Sequence, residues 1–516
     1  MKVYSASSIR RIENACFASG ISELRLMENA GVACAKVIRN EYNLETETGK
    51  KIAVLCGKGK NGGDGFVIAR KMYEIGAFPT IILTDDYPKI DEPVEMFERA
   101  KELGIRALFY NTDSQRCAGI IAQADIIVDC IFGIGYHGSA DAKTKEIFSL
   151  VNACEGEVVS VDLPSGLDGA GEDYDPSHIK ADLTISISAL KPVHINPETE
   201  KSCGKIKVVN INIDKKFFDM ETPVAEICDG ATVSEKMPRR NKNAHKGDFG
   251  HLLMLCGSYR MPGAAVFSAK AAERSGAGKI TLAFPDKAYP AITSKLNEPL
   301  FMPLDSDENG FMADKVSQKL NLLLENKTAV LVGCGIGTDA GASLVLEALM
   351  AKCKVPLLVD ADGINIISQN INILENRKGI TVLTPHLAEF SRLTGKPISV
   401  IAANREKAVK EFCEAHPNCV LLLKGRRSLI GCKDEILYIN STGNAGLAQG
   451  GTGDVLAGLC AGFLAQGMPA TDSAVCGAYI HGEAGDLCAE RLSQRGMTTD
   501  DLISFIPSSL KKYCWE

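Results

Sequence analysis

The sequence contains a single tryptophan, and no two of its 18 cysteines stand in a Cys-x-x-Cys pair. The spacing that zinc ribbons and dithiol redox sites need is therefore missing, and cysteines scattered from Cys16 to Cys514 do not make a disulfide framework. Cys56, Cys130 and Cys256 stand in strand-like runs and read as small buried hydrophobes, a reading that extends to all the others. No stretch approaches the roughly 20 apolar residues that cross a bilayer. The start, MKVYSASSIRRIENA, lacks the apolar core of a signal peptide, so a cytoplasmic protein without membrane contact is expected. Long basic runs are absent too, and the net charge is only -7 over 516 residues. Small molecules rather than nucleic acid are the expected partners.

What is present is a composition of 45% hydrophobic and 23% charged residues, inside the range of folded globular chains. A chain of 516 residues exceeds one ordinary core, which predicts two domains. Short apolar runs recur, each ending in glycine or aspartate and followed by a helical pattern, as in KIAVLC, GKGKNGGDG and FVIARKMYEIG. TIILT, ADIIVDC, GEVVSVD, ADLTISIS and KIKVVNINI continue the series at crossover spacing, which implies a parallel sheet. Ahead of them, Ile9, Ile12 and Cys16 lie at helical spacing behind serines able to cap a helix. The pattern breaks between about 214 and 245, a polar stretch without sustained period, and resumes with HLLMLCG, KITLAF, TAVLVGCG, PLLVDAD, ITVLTP and CVLLLKG. The expected class is α/β, two three-layer α/β/α domains over 1–215 and 225–516. The halves do not repeat each other's motifs, so they read as a fusion.

In the first half, Gly57, Gly59 and Gly62 form a G-x-G-x-x-G between a strand and a helix, the context of a dinucleotide-binding turn. Asp85 and Asp86 follow the next strand where a ribose-binding acid would stand, which keeps an NAD dehydrogenase as a rival. No Lys-Ser or Lys-Thr closes the loop, so a P-loop is excluded. Asp129 and Asp162 each end an apolar strand, where open parallel sheets form their ligand crevice. Taken singly, each reads equally well as a helix cap.

LMENAG at 26–31, KNGGDG at 60–65, DCIFGIGYHG at 129–138 and VDLPSGLDG at 161–169, in that order, resemble the NAD(P)H-hydrate epimerase family. The resemblance implies a Rossmann-like fold. It also implies that Asn61, Gly62, Gly63, Asp64 and Gly65, with the loop Gly133, Ile134, Gly135, Tyr136, His137, Gly138 and Ser139, hold the substrate. Asp162 would contact the hydrated nicotinamide nucleotide and is the candidate acid or base for epimerisation, and Asn61, Asp129 and Ser165 would form a potassium site. Oxygen donors of these types suit a hard cation.

In the second half the densest signal is GNAGLAQGGTGDVLAG at 443–458, a glycine-rich turn running into a helix with Val455, Leu459 and Phe463 on one face. GTGD resembles the ribokinase-like superfamily, whose aspartate takes the proton of the hydroxyl that receives a phosphoryl group; the matching residue is Asp454. HKGDFG at 245–250, GSYRMPGAA at 257–265, LVGCGIGTD at 331–339, VDADGIN at 359–365 and LTPHLAEF at 383–390 look like the NAD(P)H-hydrate dehydratase branch. Carried over residue by residue, Ala264, Gly335 and His386 belong to the substrate pocket, while Lys424, Gly425, Arg426, Arg427, Ser428 and Gly453 belong to the nucleotide site.

The two resemblances imply one chain that interconverts R- and S-NADHX and NADPHX and dehydrates the S form, with ADP as donor, ATP as the alternative, Mg2+ on the nucleotide, and a homo-oligomeric assembly. The first rival is a small-molecule kinase of the same superfamily fused to a nucleotide-binding module, which predicts a stable phosphorylated product. The second is a non-catalytic cofactor-binding scaffold, which predicts degraded sites, whereas Asp162 and Asp454 are both in place.

Overall fold

The computed structural model describes residues 1–44, 49–172, 174–375 and 377–513. The chain divides into two compact units, Lys2–Val224 and Ala225–Glu516.

The first unit is a 7-stranded parallel sheet. Its strands are β1 (Lys51–Cys56), β2 (Phe78–Leu83), β3 (Arg106–Phe109), β4 (Ile126–Cys130), β5 (Glu157–Val161), β6 (Leu183–Ile187) and β7 (Lys205–Val209). They lie in the order β3-β2-β1-β4-β5-β6-β7. The order reverses between β1 and β4, and at such a point the carboxyl ends of neighbouring strands part to leave a ligand crevice. Helices on both faces explain why β1 and β4 are nearly continuous apolar runs rather than alternating ones. The helix anticipated behind the serines is α1 (Ala6–Ala18), with Ser5 as its N-cap and Ile9, Ile12 and Cys16 buried. It is followed by α2 (Glu23–Glu41) and by α3 (Lys60–Glu74), which leaves β1 directly. Gly65 lets α3 lie against the sheet, because a Cβ there would stand 2.7 Å from Cys56 Sγ and 2.9 Å from Cys130 Cβ.

The second unit is built on β8 (Ala225–Ile227), β9 (His251–Leu255), β10 (Lys279–Pro285), β11 (Leu300–Leu304), β12 (Ala329–Val332), β13 (Leu357–Val359), β14 (Thr381–Leu383), β15 (Cys419–Leu423), β16 (Leu429–Gly431) and β17 (Leu437–Ile439). They lie in the order β11-β10-β9-β12-β13-β14-β15-β16-β17-β8, parallel except where β16 pairs with β15 and β17. Here the order reverses between β9 and β12. Helix α4 (Pro262–Arg274) packs against a later helix, Thr452–Ala465, whose residues from Val455 to Ala465 are all buried. Contact is close because Gly458 and Gly462 face α4; a Cβ at Gly458 would overlap the Ser268 carbonyl oxygen.

The stretch expected to be irregular between 214 and 245 holds β8 and the helix Gly230–Lys236, capped by Asp229. Both elements are shorter than the window over which periodicity shows itself. Among the described residues every cysteine is a free thiol, and all but Cys154 and Cys432 are buried; Cys514 lies outside the described residues. No helix among the described residues is long and apolar enough to cross a membrane.

Candidate active sites

A cavity of about 690 Å3 opens at the crevice of the first unit, lined among others by Glu13, Asn14, Lys60, Asn61, Asp64, Asp162 and Lys191. Its floor is the start of α3, whose N-cap, Gly59, offers no side-chain cap, so the first-turn N–H groups are left for a ligand. Glycine is required in this turn: a Cβ at Gly62 would overlap the Gly57 carbonyl oxygen, and one at Gly63 would run into the Met27 thioether. Of the residues expected to hold substrate, Asn61, Asp64, Gly133, Ile134, Gly135, Tyr136 and His137 line the cavity. Gly62, Gly63 and Gly65 shape the turn from behind, and the Ser139 hydroxyl, next to Gly138, donates to the buried Asp175 at 2.9 Å. Asp85 and Asp86, the acids of the dehydrogenase reading, lie outside the lining; Asp85 pairs with Lys58 and Lys143, each at 3.3 Å, and Asp86 accepts from Asn111.

Asp162 follows β5 with φ +71, a left-handed conformation that aspartate tolerates better than most residues. The Lys191 ammonium donates to its Oδ1 at 2.5 Å and the Ile134 N–H to its Oδ2 at 3.2 Å, while His194 Nε2 meets its carbonyl oxygen at 2.9 Å. His194 Nδ1 accepts the Lys191 N–H, so the proton sits on Nε2. Burial, and then the Lys191 charge, push this imidazole down to about 4. It is a neutral donor. Burial raises the Glu13 carboxyl, and raises that of Asp64 well above the usual carboxylate range, with the charge of Asp162 adding to both.

Asp129 and Ser165 are joined beneath the cavity. Asp129 accepts from the Ser165 hydroxyl at 2.6 Å, the Ser165 N–H at 2.9 Å, the Ser160 hydroxyl at 2.8 Å and the Ile131 N–H at 3.2 Å. Burial pushes its carboxyl up against the pull of these bonds. Asn61 donates its amide to the Phe132 and Val161 carbonyls, and its Oδ1 is buried without a hydrogen bond.

In the second unit, the helix Thr452–Ala465 (α6, numbered after α5, Leu387–Thr394) starts at Gly451, φ +93, again with no side-chain cap. Asp454 lies in its first turn. Its carboxylate, that of Asp360 at the end of β13 and the Cys334 thiol lie within 4.8 Å of one another. Burial, and then the charge of Asp360, push the Asp454 carboxyl up to about 6. Lys424, which follows β15, donates to Asp360 Oδ1 at 2.8 Å and stands 4.0 Å from Glu389. Burial works against its ammonium, but these two carboxylates outweigh it and the pKa is raised.

The residues expected to bind substrate and nucleotide gather around this cluster. A Cβ on Gly453 would stand 3.4 Å from Lys424 Nζ, and one on Gly335, beside Cys334, 2.8 Å from Ala264 Cβ. His386 bridges to Lys424 across the strand ends. It also caps α5, its Nδ1 accepting the Ala388 N–H at 3.1 Å and the Glu389 N–H at 3.3 Å while Glu389 returns a bond to the His386 N–H. The side chain is half exposed, with its Nε2 3.3 Å from Glu389 Oε1. Gly425, Arg426, Arg427 and Ser428 form the turn after Lys424, closed by Ser428 Oγ on Gly425 and tied down by Arg405 on the Arg426 carbonyl.

Sequence reasoning did not single out Lys191, His194, Glu13, Asp360 or Cys334. Asp360 carried a signal, an aspartate ending an apolar strand like Asp162. Lys191 and His194 carried a weaker one, a lysine before proline after the apolar ADLTISIS.

The family described as NAD(P)H-hydrate dehydratase matches residues 252–508, and that described as YjeF-related protein N-terminus matches residues 23–193. The bifunctional NAD(P)H-hydrate repair enzyme Nnr of Methanothermobacter thermautotrophicus is 34% identical over 502 residues, 95% of this chain and 92% of its own. That of Moorella thermoacetica is 32% identical over 495 residues, 95% of this chain and 93% of its own. A crystal structure of the ADP/ATP-dependent NAD(P)H-hydrate dehydratase from Bacillus subtilis, obtained with ATP and Mg2+, is 28% identical, with a TM-score of 0.49, and spans 56% of this chain and 98% of its own.

Proposed function

This chain belongs to the family of bifunctional NAD(P)H-hydrate repair enzymes, and from that premise we propose which residues carry each of its two reactions. The first unit interconverts the R and S forms of NADHX and NADPHX. The second dehydrates the S form to NAD(P)H at the expense of ADP, releasing AMP and phosphate.

The observation that carries the dehydratase assignment is Asp454, a carboxyl pushed up to about 6 in the first turn of an uncapped helix. Asp454 takes the proton of the ring hydroxyl, the freed oxygen attacks the terminal phosphoryl of ADP, and AMP departs. Phosphate then leaves the ring carbon with its bonding electrons as a neighbouring C–H proton is lost, which restores the dihydronicotinamide. The N–H groups at the start of α6 and the Lys424 ammonium face the charge that develops on the transferring group. Asp360 would supply an oxygen donor to a magnesium ion, which on the nucleotide would neutralise phosphate charge while Asp454 stays free to act as the base. ATP in place of ADP would follow the same course.

In the epimerase unit the adenosine phosphates sit at the uncapped start of α3, and the 133–137 loop and Asn61 hold the hydrated ring beside Asp162, the acid–base group. Asn61, Asp129 and Ser165 form an all-oxygen set, and the buried, unpaired Asn61 Oδ1 fits a potassium ion there. Bound, the ion would fix the loop that carries Gly133.

The test is NADH recovery from a mixed R and S preparation of NADHX, by absorbance, with ADP and then ATP. Complete recovery is expected from the intact chain. Asp162→Asn keeps the left-handed turn and removes the base; it should stop recovery near the S fraction, with the epimerisation rate down ~10²–10⁴-fold. Full recovery at the normal rate by this variant would remove Asp162 from the mechanism, and accumulation of a phosphorylated product by the intact chain would favour a kinase.

A further inference from the structure

Resting on the epimerase reading, we infer that Lys191 is the positioning residue of that reaction: it anchors Asp162 by Oδ1 and leaves Oδ2, opposite Gly133, as the oxygen that exchanges the proton with substrate.

Lys191 is 1% exposed, one of the largest fully buried side chains in the protein, and it sits at the wall of the substrate cavity. Burying an ammonium is expensive unless every N–H is met. Here each of the three is: Asp162 Oδ1 at 2.5 Å, Ser186 Oγ at 3.2 Å and the Ile187 carbonyl at 2.7 Å. Ser186 gives its own proton to the Ala189 carbonyl at 2.7 Å, so its oxygen can only accept from the lysine. The set takes three donors and is therefore made for the charged form, since a neutral amine would leave one acceptor unmet. This ammonium is held against the one carboxylate the reaction is expected to use.

The two oxygens of Asp162 are thereby made unequal. Oδ1 is held by the full charge of Lys191. Oδ2 receives only the Ile134 N–H at 3.2 Å and faces Gly133, where a Cβ would stand 3.4 Å from it. Glycine at 133 keeps the approach to Oδ2 clear. The other groups around the carboxylate are Glu13 from α1, Lys60 and Asp64 from the first two turns of α3, and the neutral His194. None but Lys191 is bonded to Oδ1. Proton transfer at Oδ2 balances: it takes the proton of the ring hydroxyl as the bond from that carbon to the ring nitrogen breaks and the C–O bond becomes a carbonyl, and it returns the proton when the nitrogen re-adds to the other face of that carbonyl.

The experiment is a double-substitution cycle in the full chain, following R-to-S conversion, with dehydration of pure S-NADHX as the control on the other unit. Lys191→Met leaves a buried carboxylate without its counter-ion, and kcat should fall ~10²-fold or more with KM within a few fold. Because the lysine acts through Asp162, adding Lys191→Met to Asp162→Asn should lower kcat no further, and the neutral pair should melt above either single variant. Lys191→Arg, which keeps the charge, should retain more activity than Lys191→Met. Gly133→Ala, which needs no buried charge removed, should depress epimerisation at unchanged melting temperature and so reads Oδ2 even if Lys191→Met fails to fold. Multiplying rate losses in the double variant, or normal kcat in Lys191→Met or Gly133→Ala, would overturn the inference. If the unmodified chain itself fails to convert the R form, the epimerase reading has failed instead.

Discussion

Asp454→Asn should abolish dehydration and at the same time make the second unit more stable. The rate loss follows from removing the only base at the start of α6, ~10²–10⁴-fold, with epimerisation untouched because the first unit has its own site. The stability gain follows from burial. The carboxyl is pushed from 3.8 up to about 6, so between those values the folded chain holds a proton that the unfolded chain has released. Stability therefore declines as pH rises through that window, and above about 6 the ionised carboxylate is a standing penalty of at most about 3 kcal/mol. Asparagine removes it. A melting temperature several degrees higher at pH 7.5, with the gain vanishing near pH 4, is the expected outcome; an unchanged or lower value at pH 7.5 would mean that the carboxylate is compensated in the folded state. By the same titration, kcat/KM for dehydration by the unmodified chain should fall away below about pH 6.

Gly458→Ala should also abolish dehydration, but with the opposite effect on stability. A Cβ at 458 would overlap the Ser268 carbonyl oxygen, backbone that cannot swing aside, on helix α4. The helix pair must separate, and overpacking of this kind costs ~1–3 kcal/mol or more. Because α6 carries Asp454 in its first turn, sliding it also displaces the base from Asp360 and Lys424, and a shift of about 1 Å is enough to lose ~10²-fold in rate. The two variants thus share a kinetic phenotype and split on calorimetry. A Gly458→Ala protein with normal melting temperature and rate would show that α4 yields.

Most of the architecture was legible because central strands of a parallel sheet are written as unbroken apolar runs, as in KIAVLC and CVLLLKG. The strands that escaped notice, Arg106–Phe109 and Leu300–Leu304, are at sheet edges with only one buried residue each, so they carry no such signature. The hairpin strands Leu429–Gly431 and Leu437–Ile439 are only three residues each. At the sites, glycine turns and strand-end aspartates announce themselves because their chemistry is local. Lys191 does not: its meaning lies in Asp162, Ser186 and Ile187 converging on one ammonium, and only the fold brings Asp162 to it. His386 shows the reverse case, a residue picked out for the pocket that also caps a helix through its Nδ1.

The buried thiols give each unit an internal clock. Cys56 and Cys130 lie beneath α3 and Cys256, Cys334 and Cys460 within the second core, all buried. Burial raises the Cys56 and Cys130 thiols well above their usual range, so almost no thiolate meets solvent while the fold is closed. Alkylation at these positions must wait for the surrounding strands to open. The rate at which peptides from either unit acquire label therefore measures how often that unit opens, separately within one molecule and with no residue substituted to report it.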